Sequence, residues 1–458
     1  MDHIFEHSSD LAVSAAEAYA WHARPGVLER LTPPWEPVQI IERTGGLGDG
    51  RVVLEIPFGP WRQRWVAQHR DAIPDQQFVD EQVEGPFASW VHTHRFAPLG
   101  VDRCRYTDHI VYQLPLGATG ELGAGFVQRK LERLFRYRHA TVAADLAQHQ
   151  RSRVMGSRII AITGATGLLG RSLIPFLTSG GHTVRRLVRS HPAPEDILWD
   201  PDRGTIDAAR LEGVDAVIHL AGEPIAGGRW TDERKQRILD SRIRSTTLLT
   251  ETLARLTQRP RVLVSASAIG IYGDRGDEVI EETAPLRTSG ERMFVEQVGQ
   301  AWEAAVEPAE RAGIRVVRMR IGIVLSPAGG ALVPMMRPIQ FGMGGRLGSG
   351  RQFMSWIGIN DIIGALYHAV QSEKLRGPVN GTAPAPVRNA DFIATLARVL
   401  GRPALFPVPA PAIRLLMGQM ADELVLTGSR VIPSRLVESG YAFRHPELAG
   451  ALEFVLGR

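Results

Sequence analysis

Gly164, Gly167 and Gly170 recur at intervals of three in the stretch Thr163-Gly164-Ala165-Thr166-Gly167-Leu168-Leu169-Gly170. An apolar run, RIIAI (158–162), leads into it, and LLGRSLIPFLTSGG continues with a helical pattern. This spacing suits phosphate chemistry. The first glycine makes a tight turn, the second lets backbone approach a pyrophosphate, and the third lets the helix pack on the strand. Gly164, Thr166, Gly167, Leu168, Leu169 and Gly170 are therefore expected cofactor-binding residues. A second strand-like run, HTVRRLVR (182–189), ends in Val188-Arg189-Ser190, where an acid would hold the 2′-hydroxyl of an NAD ribose. Arg189 stands there instead, and a guanidinium meets a 2′-phosphate bidentately, so NADP is the expected cofactor. Arg185 and Arg186 are the alternative contacts.

Such a turn needs a sheet to carry it. GVDAVIHLAGE (213–223) reads as a strand ending in a small-residue turn, placing Leu220, Ala221 and Gly222 against the cofactor. A long helix follows, capped by Thr231 and bringing Arg242 towards the same site. PRVLVSASAIGIYGD and IRVVRMRIGIVLS read as further strands, with SGERMFVEQVGQAWEAAVEPAERAG as the helix between them. Strands and helices alternating at this period predict an α/β fold with a doubly wound parallel sheet, its ligand at the carboxyl ends of the strands.

Taken together, TGATGLLG, HLAGE, SASAIGIYGD, RIGIVLS and WIGINDIIGAL resemble the extended or atypical short-chain dehydrogenase/reductases. Among these, the chain is similar to NAD(P)-dependent epimerase-family proteins with a small C-terminal domain of unknown function. GTAPAPVRNADFIATLARVLGRP and VIPSRLVESGYAF resemble that domain. The resemblance runs from about residue 158 to 458. It implies a Rossmann domain over 158–380 and a substrate-side subdomain over 381–458. In that superfamily a Tyr with a Lys four positions on handles the proton, and a Ser on the preceding strand orients the carbonyl. Ser267 matches the Ser, but the helix reads Phe294-Val295-Glu296-Gln297-Val298, and no tyrosine in the chain has a lysine four residues later. Either another group moves the proton or the domain binds NADP without turnover. Glu223, Arg229, Tyr272, Asp274 and Arg320 are the polar residues that these motifs place near the strand ends. Glu223, Tyr272 and Ser267 are the expected catalytic set, Glu223 as acid/base. Arg320 and Arg242 are expected to line the cofactor. The glycine-rich stretch 341–361 reads as a flexible substrate-side loop before a helix capped by Asp361.

The first 150 residues are patterned differently. HIFEHSSDLAV, RVVLEIPF, WRQRWVAQHRDAI, QFVDEQVEG, WVHTHRFAPL and CRYTDHIVYQL read as strands, with short helices after the first. The region closes on an amphipathic helix striped by Val127, Leu131, Leu134, Val142 and Leu146. This order resembles the START/polyketide-cyclase superfamily. The resemblance implies an α+β helix-grip domain over 1–150 whose last helix roofs an apolar cavity, and an apolar ligand within it. His92 and His94, at i and i+2, share one face of a strand. No carboxylate or third histidine stands at an obvious ligand spacing, so they read as two histidines on a wet face and no metal is expected. The polar segment 148–158 marks the boundary between the regions.

Bulk properties narrow the rest. The 458 residues exceed one hydrophobic core, and 44% apolar and 22% charged residues are ordinary for a globular protein. The formal charge is +4, with only three lysines (Lys130, Lys235 and Lys374) and no polybasic block, so nucleic acid is not an expected partner. No run is long and apolar enough to span a bilayer, and the cytoplasm is the expected location. Cys104, the sole cysteine, excludes an intramolecular disulfide. Two functions remain open: an NADP-dependent oxidoreductase or redox epimerase acting on a small apolar substrate, or a non-catalytic sensor of NADP(H) and ligand. Ser267 favours the first and the missing Tyr/Lys pair the second. A homo-oligomer is compatible with either.

Overall fold

The structure, a computed structural model, describes residues 1–458 except 59, 60, 116 and 152–155. Residues 152–155 of the boundary expected at 148–158 therefore lie outside the described residues. Two compact units emerge, the first built essentially from Met1–Gly156 and the second from most of the remainder.

In the first unit, strand β1 (His3–Leu11) is followed by helices α1 (Ala15–Ala23) and α2 (Val27–Leu31). Strands β2 (Gln39–Thr44), β3 (Arg51–Phe58), β4 (Trp61–Ile73), β5 (Gln77–Glu84), β6 (Ser89–Gly100) and β7 (Arg103–Gln113) come next, then helix α3 (Ala124–Arg151). The seven strands form one antiparallel sheet in the order β1-β7-β6-β5-β4-β3-β2. Only β2 is absent from the sequence reading; four of its six residues are charged or polar, which hides the alternation. β7 shows why the others are legible: Cys104, Tyr106, Asp108, Ile110 and Tyr112 are buried while their neighbours are turned outward or half-buried. Register shifts in β2, β4 and β6 mark bulges, which bend strands. Leu131, Val142 and Leu146 of the expected stripe on α3 are buried, as is Phe135.

The second unit opens with β8 (Ile159–Thr163), α4 (Leu168–Ser179), β9 (Thr183–Val188), β10 (Ile197–Asp200), β11 (Thr205–Ile206) and β12 (Ala216–His219). It continues through α5 (Asp232–Arg255), β13 (Val262–Ala268), β14 (Gly276–Ile280), α6 (Phe294–Ala304), α7 (Glu307–Arg311) and β15 (Arg315–Ile321). After β16 (Ile323–Leu325), α8 (Leu332–Gln340), β17 (Phe353–Met354) and β18 (Trp356–Gly358) come α9 (Ile359–Gln371) and β19 (Gly377–Gly381). The main sheet has the order β11-β10-β9-β8-β12-β13-β15-β19, parallel except at β11. Chain order reverses between β8 and β12, the switch point where such sheets bind ligand. The middle strands are buried on both faces, as in VIH of β12, and so read as unbroken apolar runs. Residues 381–456 lie in this same compact unit.

Two expectations need correction. The single helix read over 289–313 is two, α6 and α7, the second opening with Pro308 in its first turn, where the missing N–H costs no helical bond. Asp361 does not cap α9, whose N-cap is Gly358. Its carboxylate instead accepts the amides of Arg444 and His445, at 2.6 and 3.1 Å.

Candidate functional site

Thr163, the last residue of β8, is fully buried and holds the turns after β8 and β12 together. Its Oγ1 accepts the amides of Leu220 and Ala221 at 3.0 and 3.1 Å. The same hydroxyl lies 2.8 Å from His219 Nδ1, and His219 Nε2 lies 2.9 Å from the Thr246 hydroxyl on α5. With no charged partner, burial lowers the His219 pKa to about 4. Gly164 adopts a φ of +70°, and a Cβ there would stand 2.8 Å from the Leu220 carbonyl. A Cβ on Gly170 would stand 2.4 Å from the Gly164 oxygen. Both glycines are demanded by close backbone approach, while Thr166 and Gly167 face solvent at the head of α4.

Beside this turn, Gly222 is exposed and Glu223 half-exposed. Helix α5, capped by Thr231 as expected, pins the backbone of Glu223. The Ser241 hydroxyl accepts the Glu223 amide at 3.1 Å, and Arg242 donates to the Glu223 carbonyl at 3.0 Å. Arg242 is buried, its guanidinium 4.8 Å from the Trp302 ring centre, and burial lowers its pKa to about 10. The Glu223 carboxylate lies 3.6 Å from Arg234. At the end of β9, Arg186 is bound bidentately to Asp196 at 2.8 and 2.6 Å, and Arg185 donates to the Arg210 carbonyl. Arg189 is exposed just past the strand.

Ser267, Tyr272 and Arg320 do come together, but inside the fold. Ser267 donates to Glu303 Oε1 at 2.8 Å. Arg320 grips Glu303 bidentately at 2.7 and 2.8 Å and donates to the Tyr272 hydroxyl, which donates to Asn380. All five residues are buried. Burial pushes the Tyr272 phenol up, against the opposing pull of Arg320. Ser267 and Tyr272 thus donate to internal partners, and Arg320 grips a carboxylate. Ala268 is the exposed residue at the end of β13. Phe294 and Val298, in the places of Tyr and Lys, are packed with Ile238. Asp274 accepts the Gly276 amide in a turn, and Arg229 donates to the Leu415 carbonyl. Glu303 and Asn380, which complete the network, carry no sequence signal.

The first unit holds a second site. Its sheet and α3 enclose a cavity of about 380 Å³, walled by apolar side chains such as Leu31, Val52, Trp65, Trp90, Leu134 and Phe135. His69, Asp80, His92 and His94 also reach it. The last two are about 5% exposed, which corrects the wet-face reading. Cross-strand register makes the cluster: His69 pairs with Asp80, Asp80 with His92, and His94 with Asp108. Asp108, fully buried, receives His92 Nε2 at 2.9 Å, His94 Nδ1 at 2.6 Å and His139 Nε2 at 2.9 Å. Asp80 receives His94 Nε2 at 3.1 Å and His69 Nε2 at 2.8 Å. Burial would lower the His94 pKa, but Asp108 and Asp80 outweigh it and raise it to about 9. Burial and the neighbouring His94 bring His92 down to about 4.

This chain has a dinucleotide-type fold joined to a cavity-bearing antiparallel domain, and comparison with known proteins agrees. Residues 160–380 match the NAD dependent epimerase/dehydratase family, 11–138 the polyketide cyclase/dehydrase and lipid transport family, and 408–455 a domain of unknown function. An epimerase family protein of Mycobacterium bovis is 42% identical over 305 residues, covering 66% of this chain and 99% of that protein. A Corynebacterium glutamicum crystal structure, described as a nucleoside-diphosphate sugar epimerase, is similar over 99% of this chain and 90% of its own (TM-score 0.82, 32% identity). Human epimerase family protein SDR39U1, solved with NADPH, matches 65% of this chain and 98% of its own (TM-score 0.60, 34% identity). The chain belongs to the NAD(P)-dependent epimerase family and carries an N-terminal polyketide-cyclase-like domain. Among the described residues, no helix is long and apolar enough to cross a membrane.

Proposed function

We propose that the chain is an NADP(H)-dependent oxidoreductase or redox epimerase acting on a small apolar substrate, with the cofactor seated at the β8–α4 turn. The observation that carries the cofactor choice is the division of labour among three arginines. Arg185 and Arg186 are spent on protein partners, whereas Arg189 is exposed just past β9, at the position in the chain where the ribose 2′-contact is expected. The NADPH seen with the human relative supports the same reading. Thr166, Gly167, Leu168 and Leu169 present the pyrophosphate cradle, and Leu220, Ala221 and Gly222 form its opposite wall. Arg242 fixes that wall from behind through the Glu223 carbonyl. Glu223 is the acid/base, because its carboxylate is half-exposed beside the cradle while Ser267 and Tyr272 are engaged inside. Fluorescence titration tests the cofactor. NADPH should bind at least about tenfold more tightly than NADH, roughly 1.4 kcal/mol, and Arg189→Asp should narrow or invert that preference. Equal affinities in the wild type would sink the reading.

The buried Ser267–Glu303–Arg320–Tyr272 network favours a second reading, a sensor that binds NADP(H) without turnover. Native mass spectrometry of copurifying small molecules, followed by NADPH absorbance with each, separates the two. Hydride transfer that Glu223→Gln slows by about 100-fold or more, with NADPH affinity retained, supports the enzyme.

A further inference from the structure

The polar end of the first unit's cavity has the construction of a metal centre. His92 Nε2 lies 2.9 Å from Asp108 Oδ1, so that nitrogen carries its proton and the Nδ1 lone pair points away from Asp108. His94 Nδ1 lies 2.6 Å from the same oxygen, which leaves Nε2 on the other side. His69 Nδ1 lies 2.9 Å from the Gly46 carbonyl, which leaves its Nε2. All three nitrogens face one carboxylate, Asp80, at 4.0 Å for His92, 3.1 Å for His94 and 2.8 Å for His69. Without an ion, protons on His94 and His69 bridge these nitrogens to Asp80, and a cation bound between the nitrogens and the carboxylate takes the place of those protons. Ligand atoms around a tetrahedral ion with bonds of about 2.1 Å stand roughly 3.4 Å apart. Those of Asp80, His92 and His94 all fall within 4.8 Å of one another.

We propose that Asp80, His92 and His94 bind a divalent first-row transition ion, with His69 held on the other oxygen of Asp80. Two imidazoles and one carboxylate are the donor set such ions favour, and oxygen-only ions such as Mg²⁺ or Ca²⁺ do not. Asp108 supplies the outer shell, gripping His92 and His94 by their far nitrogens and fixing both rings, while His139 holds its second oxygen at 2.9 Å. Ser9 in turn lies 2.8 Å from His139 Nδ1, carrying the shell onto β1. Two carboxylates and a dication leave the buried cluster neutral with its histidines uncharged. The coordination positions left over open on the apolar cavity, so the ligand class is an amphipathic molecule whose carboxylate head binds the ion and whose tail fills the pocket.

The inference is independent of NADP binding, since every residue named lies in the first unit. The full chain, stripped with a chelator, is titrated with Co²⁺ and separately loaded with Zn²⁺ for elemental analysis after gel filtration. One ion per chain is expected, with Co²⁺ d–d bands of a four- or five-coordinate site that shift when decanoate is added. Asp80→Asn and His94→Gln should abolish binding. Asp108→Asn, which touches no ion, should weaken it about 10- to 100-fold. Near-UV circular dichroism of the same preparations, to which Trp65 and Trp90 of the cavity wall contribute, reports that the first unit is folded. A wild-type chain that retains neither ion overturns the proposal, since protons alone then neutralise Asp80. So does an Asp80→Asn chain that folds and binds as tightly as wild type. If that variant fails to fold, the wild-type stoichiometry and spectrum decide by themselves.

Discussion

At the scale of single residues, close contacts separate what a side chain could do from what it is free to do. Gly170 has no room for a methyl group, because the obstacle is the rigid Gly164 carbonyl 2.4 Å from the added carbon. Gly170→Ala should therefore abolish NADPH binding in the fluorescence titration, and retained affinity would show that the turn is softer than its packing indicates. Glu303 raises a different question, because a buried guanidinium without its carboxylate is strongly unfavourable. Glu303→Gln should destabilise the second unit by about 3–5 kcal/mol in chemical denaturation. Ser267→Ala removes one donor to that carboxylate, and about 1 kcal/mol of stability with unchanged NADPH affinity is the expected result. A Ser267→Ala chain of full stability but lost turnover would return Ser267 to the catalytic set.

At the scale of elements, the joint between β8, β12 and α5 rests on Thr163, His219 and Thr246, and it titrates. His219 is packed against Thr163, Thr246 and, edge-on at 6.2 Å, Trp199, with no charge facing it. Its folded pKa, about 4, lies below the ordinary imidazole value of 6.5, so the unfolded chain takes up its proton first as pH falls. The stability of the second unit should therefore decline between pH 6.5 and 4, by on the order of 3 kcal/mol from this residue, with no contribution above pH 6.5. His219→Gln should flatten the slope of denaturation midpoint against pH in that window. An unchanged slope would place the titration in other histidines. Because the Thr163 hydroxyl holds both cofactor turns, Thr163→Val should cost about 1–3 kcal/mol and weaken NADPH binding as well.

At the scale of the whole chain, the boundary expected at 148–158 begins inside helix α3, which continues through Arg151. We propose that limited proteolysis cuts this boundary first and that residues 156–458 bind NADPH within about threefold of the intact chain. A relative that consists almost wholly of the matched 305 residues indicates that such a unit can exist alone. An insoluble or cofactor-blind fragment would mean that the two units depend on each other to fold. If both units handle one molecule, cutting the connection should raise KM and leave kcat unchanged, since only local concentration is lost.

The sequence by itself determined everything that depends on neighbours along the chain. The glycine spacing 164–170, the strand–helix alternation behind it, the arginine at 189 and the absence of a Tyr/Lys pair are local facts. The periods of helix and strand convert them into a fold class. Direction and register are not local. Whether Ser267 faces the cleft or Glu303 depends on which side of β13 packs against α6. His69, Asp80, His92, His94 and Asp108 lie on four strands, and only the pairing of β4, β5, β6 and β7 brings them onto one face. A one-residue slip in any pair would turn its side chains to the opposite face. Spacing alone could align His92 with His94, two residues apart, but could not supply Asp80 and Asp108, because hairpin geometry and the buried face set that register.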